Sequence, residues 1–176
     1  MRASNFRSIA AFSALAAAAA FMAAVPVDQA RAAAATASFQ VTATVLKACL
    51  VSTPATLGFG SYTASAAATG TTSFNVTCTI GTPYSVGLNA GNGVGASVTN
   101  RLMTSPTATA GNNTLAYGLY KDIGNTVNWD NSATGTGLTG SGLPQPYTVY
   151  GLVPASQYAA APATDYADTI LLTVTY

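Results

Sequence analysis

The feature that most restricts the fold of this chain is a two-residue alternation of apolar and polar side chains. Apolar and hydroxyl or amide residues alternate over residues 39–45. They alternate again over 169–176, where Ile170, Leu172, Val174 and Tyr176 share one face and only Leu171 interrupts the polar one. This period is that of a β-strand with one buried face. Further strands are predicted at 73–80, 84–89, 115–121 and 147–153, separated by segments rich in Gly, Asn, Ser and Pro. No helical spacing persists for more than a turn, so the sequence predicts an all-β sandwich.

The first segment has the features of an export signal. Arg2 and Arg7 precede an alanine-rich apolar run, and a small-x-small motif ends at Ala32, with a second one at Ala37. The apolar run is shorter than the roughly 20 residues that span a bilayer. We therefore predict a signal peptide at residues 1–32, with cleavage between 32 and 37, followed by a mature chain of about 140 residues, the size of one domain.

The two cysteines, Cys49 and Cys78, are predicted to form a disulfide. An exported chain meets an oxidising compartment, and these two thiols have only each other as partners. Closing a loop of about 30 residues stabilises a fold by roughly 3.5 kcal/mol in the chain-entropy model. A metal site is the alternative, but the chain has no histidine and no further thiol to complete it.

The charges argue against catalysis and nucleic-acid binding. After the signal, the charged residues are Lys47, Arg101, Lys121, Asp122, Asp130, Asp165 and Asp168, so no basic footprint is present. With neither histidine nor glutamate, a catalytic carboxylate pair would have to come from Asp122 with Asp130 or from Asp165 with Asp168. Loop aspartates that cap turns are far commoner. We predict a protein that is not an enzyme and has no cofactor, no metal and no nucleic-acid partner.

Five aromatic residues leave two readings open: Tyr117, Tyr120, Trp129, Tyr147 and Tyr150. They form either a sugar-stacking platform or part of the sandwich core. Aromatic residues on strands are more often core or cross-strand pairs, so the core reading is favoured.

Four ordered motifs resemble the spore coat U domain family, which includes the pilin subunits of archaic chaperone/usher pili. They are FQVTATV before Cys49, LAYGLYKD with Trp129 downstream, TVYGLVP, and YADT running to Tyr176. The likeness covers nearly the whole mature chain. One departure is Ala163-Thr164-Asp165, where the family more often has a glycine turn.

The resemblance implies an incomplete immunoglobulin-like β-sandwich that lacks its final strand and is completed by donor-strand complementation. A periplasmic chaperone would fill the open groove first, and the N-terminal extension of a neighbouring copy or related pilin would replace it at an outer-membrane usher. The expected organisation is a donor extension at 33–48 and a pilin domain at 49–176. The final strand is expected to leave no following segment that could close the sandwich.

The expected donor side chains are Phe39, Val41, Ala43 and Val45, although residues 39–45 could instead be the first strand of their own domain. The implied function is a structural pilus subunit, exported to the periplasm and then the cell surface, that supports adhesion and biofilm formation. Two alternatives are a carbohydrate- or surface-binding module and a secreted spore-coat-type protein.

Overall fold

The computed structural model describes residues 33–109, 111–131 and 137–176, and its secondary structure there is entirely β. Within these ranges no helix is long and apolar enough to cross a membrane. The strands are β1 (Cys49–Val51), β2 (Ala68–Cys78), β3 (Pro83–Leu88), β4 (Arg101–Thr104), β5 (Thr114–Tyr120), β6 (Leu138–Thr139), β7 (Gln145–Val153) and β8 (Leu172–Thr175). Residues 43–176 form one unit, and residues 33–42 belong to a separate one.

The strands form two antiparallel sheets. The larger sheet has the order β1-β2-β7-β5-β4, and the smaller one has the order β6-β3-β8. The longest ladder of the larger sheet joins β2 to β7, from Ala68 opposite Val153 to Val76 opposite Gln145. Because side chains alternate along β2, Phe74, Val76 and Cys78 are buried, while Asn75 and Thr77 between them are more exposed.

The core lies between the two sheets and is centred on an aromatic group. Phe74 stacks on Tyr147 with ring centroids 5.5 Å apart. Trp129 is 3% exposed and packs its ring against both, at 5.9 Å from Phe74 and 6.4 Å from Tyr147. Aromatic contacts at these distances add stabilisation beyond area burial. The aromatic group therefore connects β2 and β7 to the segment that follows β5.

The predicted strands at 84–89, 115–121 and 147–153 agree with β3, β5 and β7 to within two residues. The predicted strand at 73–80 starts five residues earlier, at Ala68, because residues 68–72 pair with the end of β7. The strand predicted at 169–176 is longer than the observed one, since pairing with β3 covers only Leu172–Thr175. Three short strands, β1, β4 and β6, were not predicted, because two to four residues carry too little periodicity.

Residues 39–45 do not form a strand of this domain. They have no regular secondary structure, and the side chains of Phe39 and Val45 are 88% and 85% exposed. The reading of this segment as a half-buried strand of its own sandwich is therefore wrong for the described structure. The physical reason is that alternation specifies a strand with one buried face but not the sheet that buries it.

Candidate functional site

An open groove of about 510 Å³ runs along the sandwich and exposes part of its core. One wall is formed by residues 53–59, and the other by residues 166–172. The floor consists of inward-facing side chains from four strands: Phe74, Leu88, Tyr117, Leu119 and Val149. The groove is thus an apolar slot between two extended segments.

One wall of the groove is an unpaired strand edge. The Asn89 N–H donates to the Leu171 carbonyl at 3.1 Å, one step beyond the pair Leu88 and Leu172. In an antiparallel ladder, the backbone N–H and C=O groups of every second residue bond the strand on one side, and those of the residues between them point to the other side. The N–H and C=O groups of Leu172 and Val174 therefore point away from β3. No described strand pairs with that side of β8.

The opposite wall lies close to the larger sheet because two glycines leave room for it. Thr72 Oγ1 donates to the Ala55 carbonyl at 2.7 Å. A side chain at Gly151 would bring its Cβ within 2.8 Å of the Phe59 ring, and one at Gly70 would bring it within 2.9 Å of a methyl group of Leu57. These glycines let Leu57 and Phe59 lie over the strands and form the groove wall.

The end of the groove at Asp168 carries a charge. Asp168 is the carboxylate among the described residues that line the groove. Its Oδ2 accepts a hydrogen bond from the Tyr117 hydroxyl at 2.7 Å, and its Oδ1 accepts from the N–H groups of Asn92 and Thr169, both at 2.7 Å. Burial, and then the bond to Asp168, raise the pKa of Tyr117 above its ordinary value. Tyr117 therefore stays a neutral donor that holds the carboxylate.

Behind this end of the groove lies a buried cation that the sequence did not reveal. Arg101 is 0% exposed. Its guanidinium donates to four carbonyls, those of Asn89 at 2.8 Å, Val98 at 2.6 Å, Leu88 at 3.0 Å and Trp129 at 2.7 Å. Burial lowers the pKa of Arg101, but arginine keeps its charge in proteins. Arg101 thus joins the edge strand β4 to the end of β3 and to the segment that carries Trp129.

The predicted disulfide between Cys49 and Cys78 is confirmed. It joins β1 to β2 with the two Cα atoms 4.1 Å apart. Next to it, the Thr79 N–H donates to the Ala48 carbonyl at 2.9 Å, and the Ala48 N–H donates to Thr79 Oγ1 at 3.2 Å. These contacts hold Ala48 against the end of β2.

The predicted donor residues, Phe39, Val41, Ala43 and Val45, are all exposed and lie outside any strand. Donation by these side chains stays a prediction. A signal peptide at 1–32 falls outside the described residues.

The aromatic residues are divided between the two faces of the larger sheet. Tyr117 and Trp129 are buried, and Tyr147 packs against the core. Tyr120 and Tyr150 are half-buried cross-strand neighbours on the other face. The five residues therefore do not form one sugar-stacking platform.

The other three aspartates of the predicted mature chain also make local contacts. Asp122 accepts from the N–H groups of Thr126 and Val127 and closes its own loop. Asp130 lies 3.9 Å from Lys121 Nζ. Asp165 accepts from the hydroxyls of Ser105 and Thr107. Among the described residues no group of three or more His, Cys, Asp or Glu could hold a metal ion.

Comparison with known proteins gives relatives for this architecture. Protein U of Myxococcus xanthus is 38% identical over 91 residues, which is 51% of this chain and 48% of that protein. The chain therefore spans about half the length of the curated relative it matches.

A solved structure with the same fold is the CsuC–CsuE chaperone–tip adhesion subunit pre-assembly complex from archaic chaperone-usher Csu pili of Acinetobacter baumannii. It matches with a TM-score of 0.52 and 25% identity, over 76% of this chain and 41% of the matched one. The fold is thus that of a chaperone-usher pilin. The family model for the Spore Coat Protein U domain matches residues 35–173, and the chain belongs to this family.

Proposed function

We propose that this protein is a structural subunit of a surface pilus assembled by a chaperone/usher pathway. The observation that carries the proposal is the groove, which combines an apolar floor with the unpaired backbone edge of β8. Such an edge invites pairing with any extended chain. The segment at 39–45 has the matching pattern, because it is exposed, unpaired and apolar at every second residue.

Insertion of one copy's extension into the next copy's groove is β-augmentation. Phe39, Val41 and Val45 would each gain about 1.5 to 3 kcal/mol on full burial, with Ala43 adding less and ladder hydrogen bonds adding more. Part of this gain offsets the entropy of ordering the extension. Because the donor and the acceptor are different surfaces, the contact repeats without closing, and the product is an open fibre.

An open apolar groove is an aggregation hazard before assembly. A periplasmic chaperone that lends a strand to the groove removes that hazard, and the solved relative is itself a chaperone–subunit complex. An outer-membrane usher would then exchange the chaperone for the next subunit. In this proposal the signal at 1–32 directs the chain to the periplasm, the fibre is displayed on the cell surface, and the pilus supports attachment and biofilm formation.

The test is a pair of aspartate variants whose side chains differ only in the face they occupy. In Val41→Asp/Val45→Asp the new carboxylates would enter the apolar groove, whereas in Thr42→Asp/Thr44→Asp they would point away from it. We expect the first variant to stop polymerisation and the second to leave fibre length close to that of the wild type, as measured by electron microscopy. Fibres of normal length from the first variant would contradict the proposal.

A secreted coat-type protein is the second candidate, favoured by the match to the Spore Coat Protein U domain. Under this reading the same subunits form a layer on the cell. Electron microscopy of the wild-type protein distinguishes the pilus from the coat layer, because the pilus proposal requires filaments one subunit wide.

A further inference from the structure

Among the described residues, the groove and the extension each carry one side chain that is charged at neutral pH, and the two charges are opposite in sign. Among the described residues that line the groove, Asp168 is the one charged at neutral pH. Between residues 33 and 48 the only charged residue is Lys47, which is exposed. This complementarity rests on the proposed function, because it matters only if the extension enters the groove of another copy.

The direction of an inserted strand follows from where the extension leaves the domain. Cys49 lies opposite Cys78, one turn before β3. The C-terminal end of β8 is at this same end, since Thr175 lies opposite Ser85. An antiparallel donor therefore enters the next groove at the far end, near Asp168, and each copy donates from one end into the other end of its neighbour.

A parallel donor would not fit this arrangement. It would bring together the two ends from which extensions leave, so that a chain of subunits could not grow in one direction. It would also place Phe39, an apolar side chain, at the Asp168 end of the groove. The antiparallel direction avoids both problems.

The register of the antiparallel donor follows from which side chains on each segment face inward. Ile170 and Leu172 are half-buried and line the groove, and Val174 is half-buried on the same face of β8, whereas Leu171, Thr173 and Thr175 are exposed. One register pairs the apolar positions of the two segments, namely Val41 with Val174, Ala43 with Leu172 and Val45 with Ile170. The next pair in the same register is Lys47 with Asp168.

We infer that Lys47 of one subunit forms an ion pair with Asp168 of the next and thereby sets the register of the donor strand. A carboxylate has about four acceptor positions, and the three bonds from Tyr117, Asn92 and Thr169 leave one acceptor position on the Asp168 Oδ2. A slip of two residues would place either Lys47 opposite Ile170 or Val45 opposite Asp168. Both slips bring an apolar side chain against a charged one, which is unfavourable.

The binding test uses the full mature chain with Val41→Asp/Val45→Asp as acceptor, so that its own extension does not compete. A fluorescent peptide of residues 35–48 is titrated with this acceptor and followed by anisotropy. We expect the Lys47→Gln peptide to bind about fivefold more weakly than the wild-type peptide, and the Lys47→Arg peptide to bind like the wild type. The difference should shrink as salt is raised towards 1 M, because screening weakens a solvent-accessible pair.

The matched control is the Gln40→Glu peptide, which changes the net charge by the same amount at an outward position. It should bind like the wild-type peptide. If the Lys47→Gln peptide binds as tightly as the wild type, the ion pair is wrong while strand donation stands. If the wild-type peptide does not bind at all, both this inference and the proposed function are wrong.

The register is tested on assembled fibres by oxidative cross-linking between engineered cysteines. Ala43→Cys with Leu172→Cys should give a ladder of covalent multimers in a non-reducing gel, because opposite residues have Cβ atoms about 4.5–5.5 Å apart. Ala43→Cys with Ile170→Cys, one slip away, should give no ladder. A ladder from the slipped pair alone would overturn the register.

Discussion

Replacement of Arg101 by methionine should destabilise the domain far more than the loss of an exposed cation. The guanidinium bonds four carbonyls, and methionine has a similar length but no donor. The bonds to the Leu88 and Trp129 carbonyls are buried, so both acceptors would lose their partners without access to water.

The magnitude follows from these two carbonyls. Each buried group left unsatisfied costs about 1–3 kcal/mol, while removal of a buried charge returns part of its desolvation cost. We expect Arg101→Met to lower the free energy of unfolding by about 2–4 kcal/mol, which is a large part of the 5–15 kcal/mol typical of a domain. The stability of Arg101→Lys should lie between that of the wild type and that of Arg101→Met, because an ammonium has three donors for four carbonyls.

The assay is urea unfolding of the mature chain followed by tryptophan fluorescence. Trp129 is the single tryptophan of the sequence and is 3% exposed, so its emission reports on the core that Arg101 joins. Lys121→Met is the matched control, because it removes a cation whose ion pair with Asp130 is solvent-accessible and whose ammonium lies 5.9 Å from the centre of the Trp129 ring. Each of these contacts is worth at most about 1 kcal/mol at an exposed site, and the midpoint rather than the emission intensity is compared. Equal unfolding midpoints for Arg101→Met and Lys121→Met would refute the reasoning.

Two further predictions concern the disulfide and one carboxylate. The double variant Cys49→Ser/Cys78→Ser should lower the free energy of unfolding by roughly 3.5 kcal/mol in the same urea assay, and an unchanged midpoint would show that the disulfide does not stabilise the fold. Hydrogen bonds from Ser105 and then Thr107 lower the pKa of Asp165, so their stabilisation is present above the unfolded pKa and is lost as pH falls through the folded one. Ser105→Ala should raise that pKa in an NMR titration of the carboxyl carbon; a pKa that stays low would assign the effect to another group.

Much of the fold was predictable from local sequence. The alternation at 147–153 predicted a strand because every second residue of β7 faces the core, and the pairing of Cys49 with Cys78 followed from the absence of other thiols. β4 was missed because its buried residue is Arg101. An arginine in a short segment predicts an exposed position unless the four carbonyls around it are known.

What the sequence by itself determined is the class of structure: strands with one apolar face and a single possible disulfide. These are properties of neighbouring residues, and the period of the backbone is enough to reveal them. Only the tertiary structure decided that residues 53–59 and 166–172 face each other across an open groove with Asp168 at one end. These segments are distant in sequence, and they meet because β1 pairs with β2 and β8 pairs with β3, which no local pattern encodes.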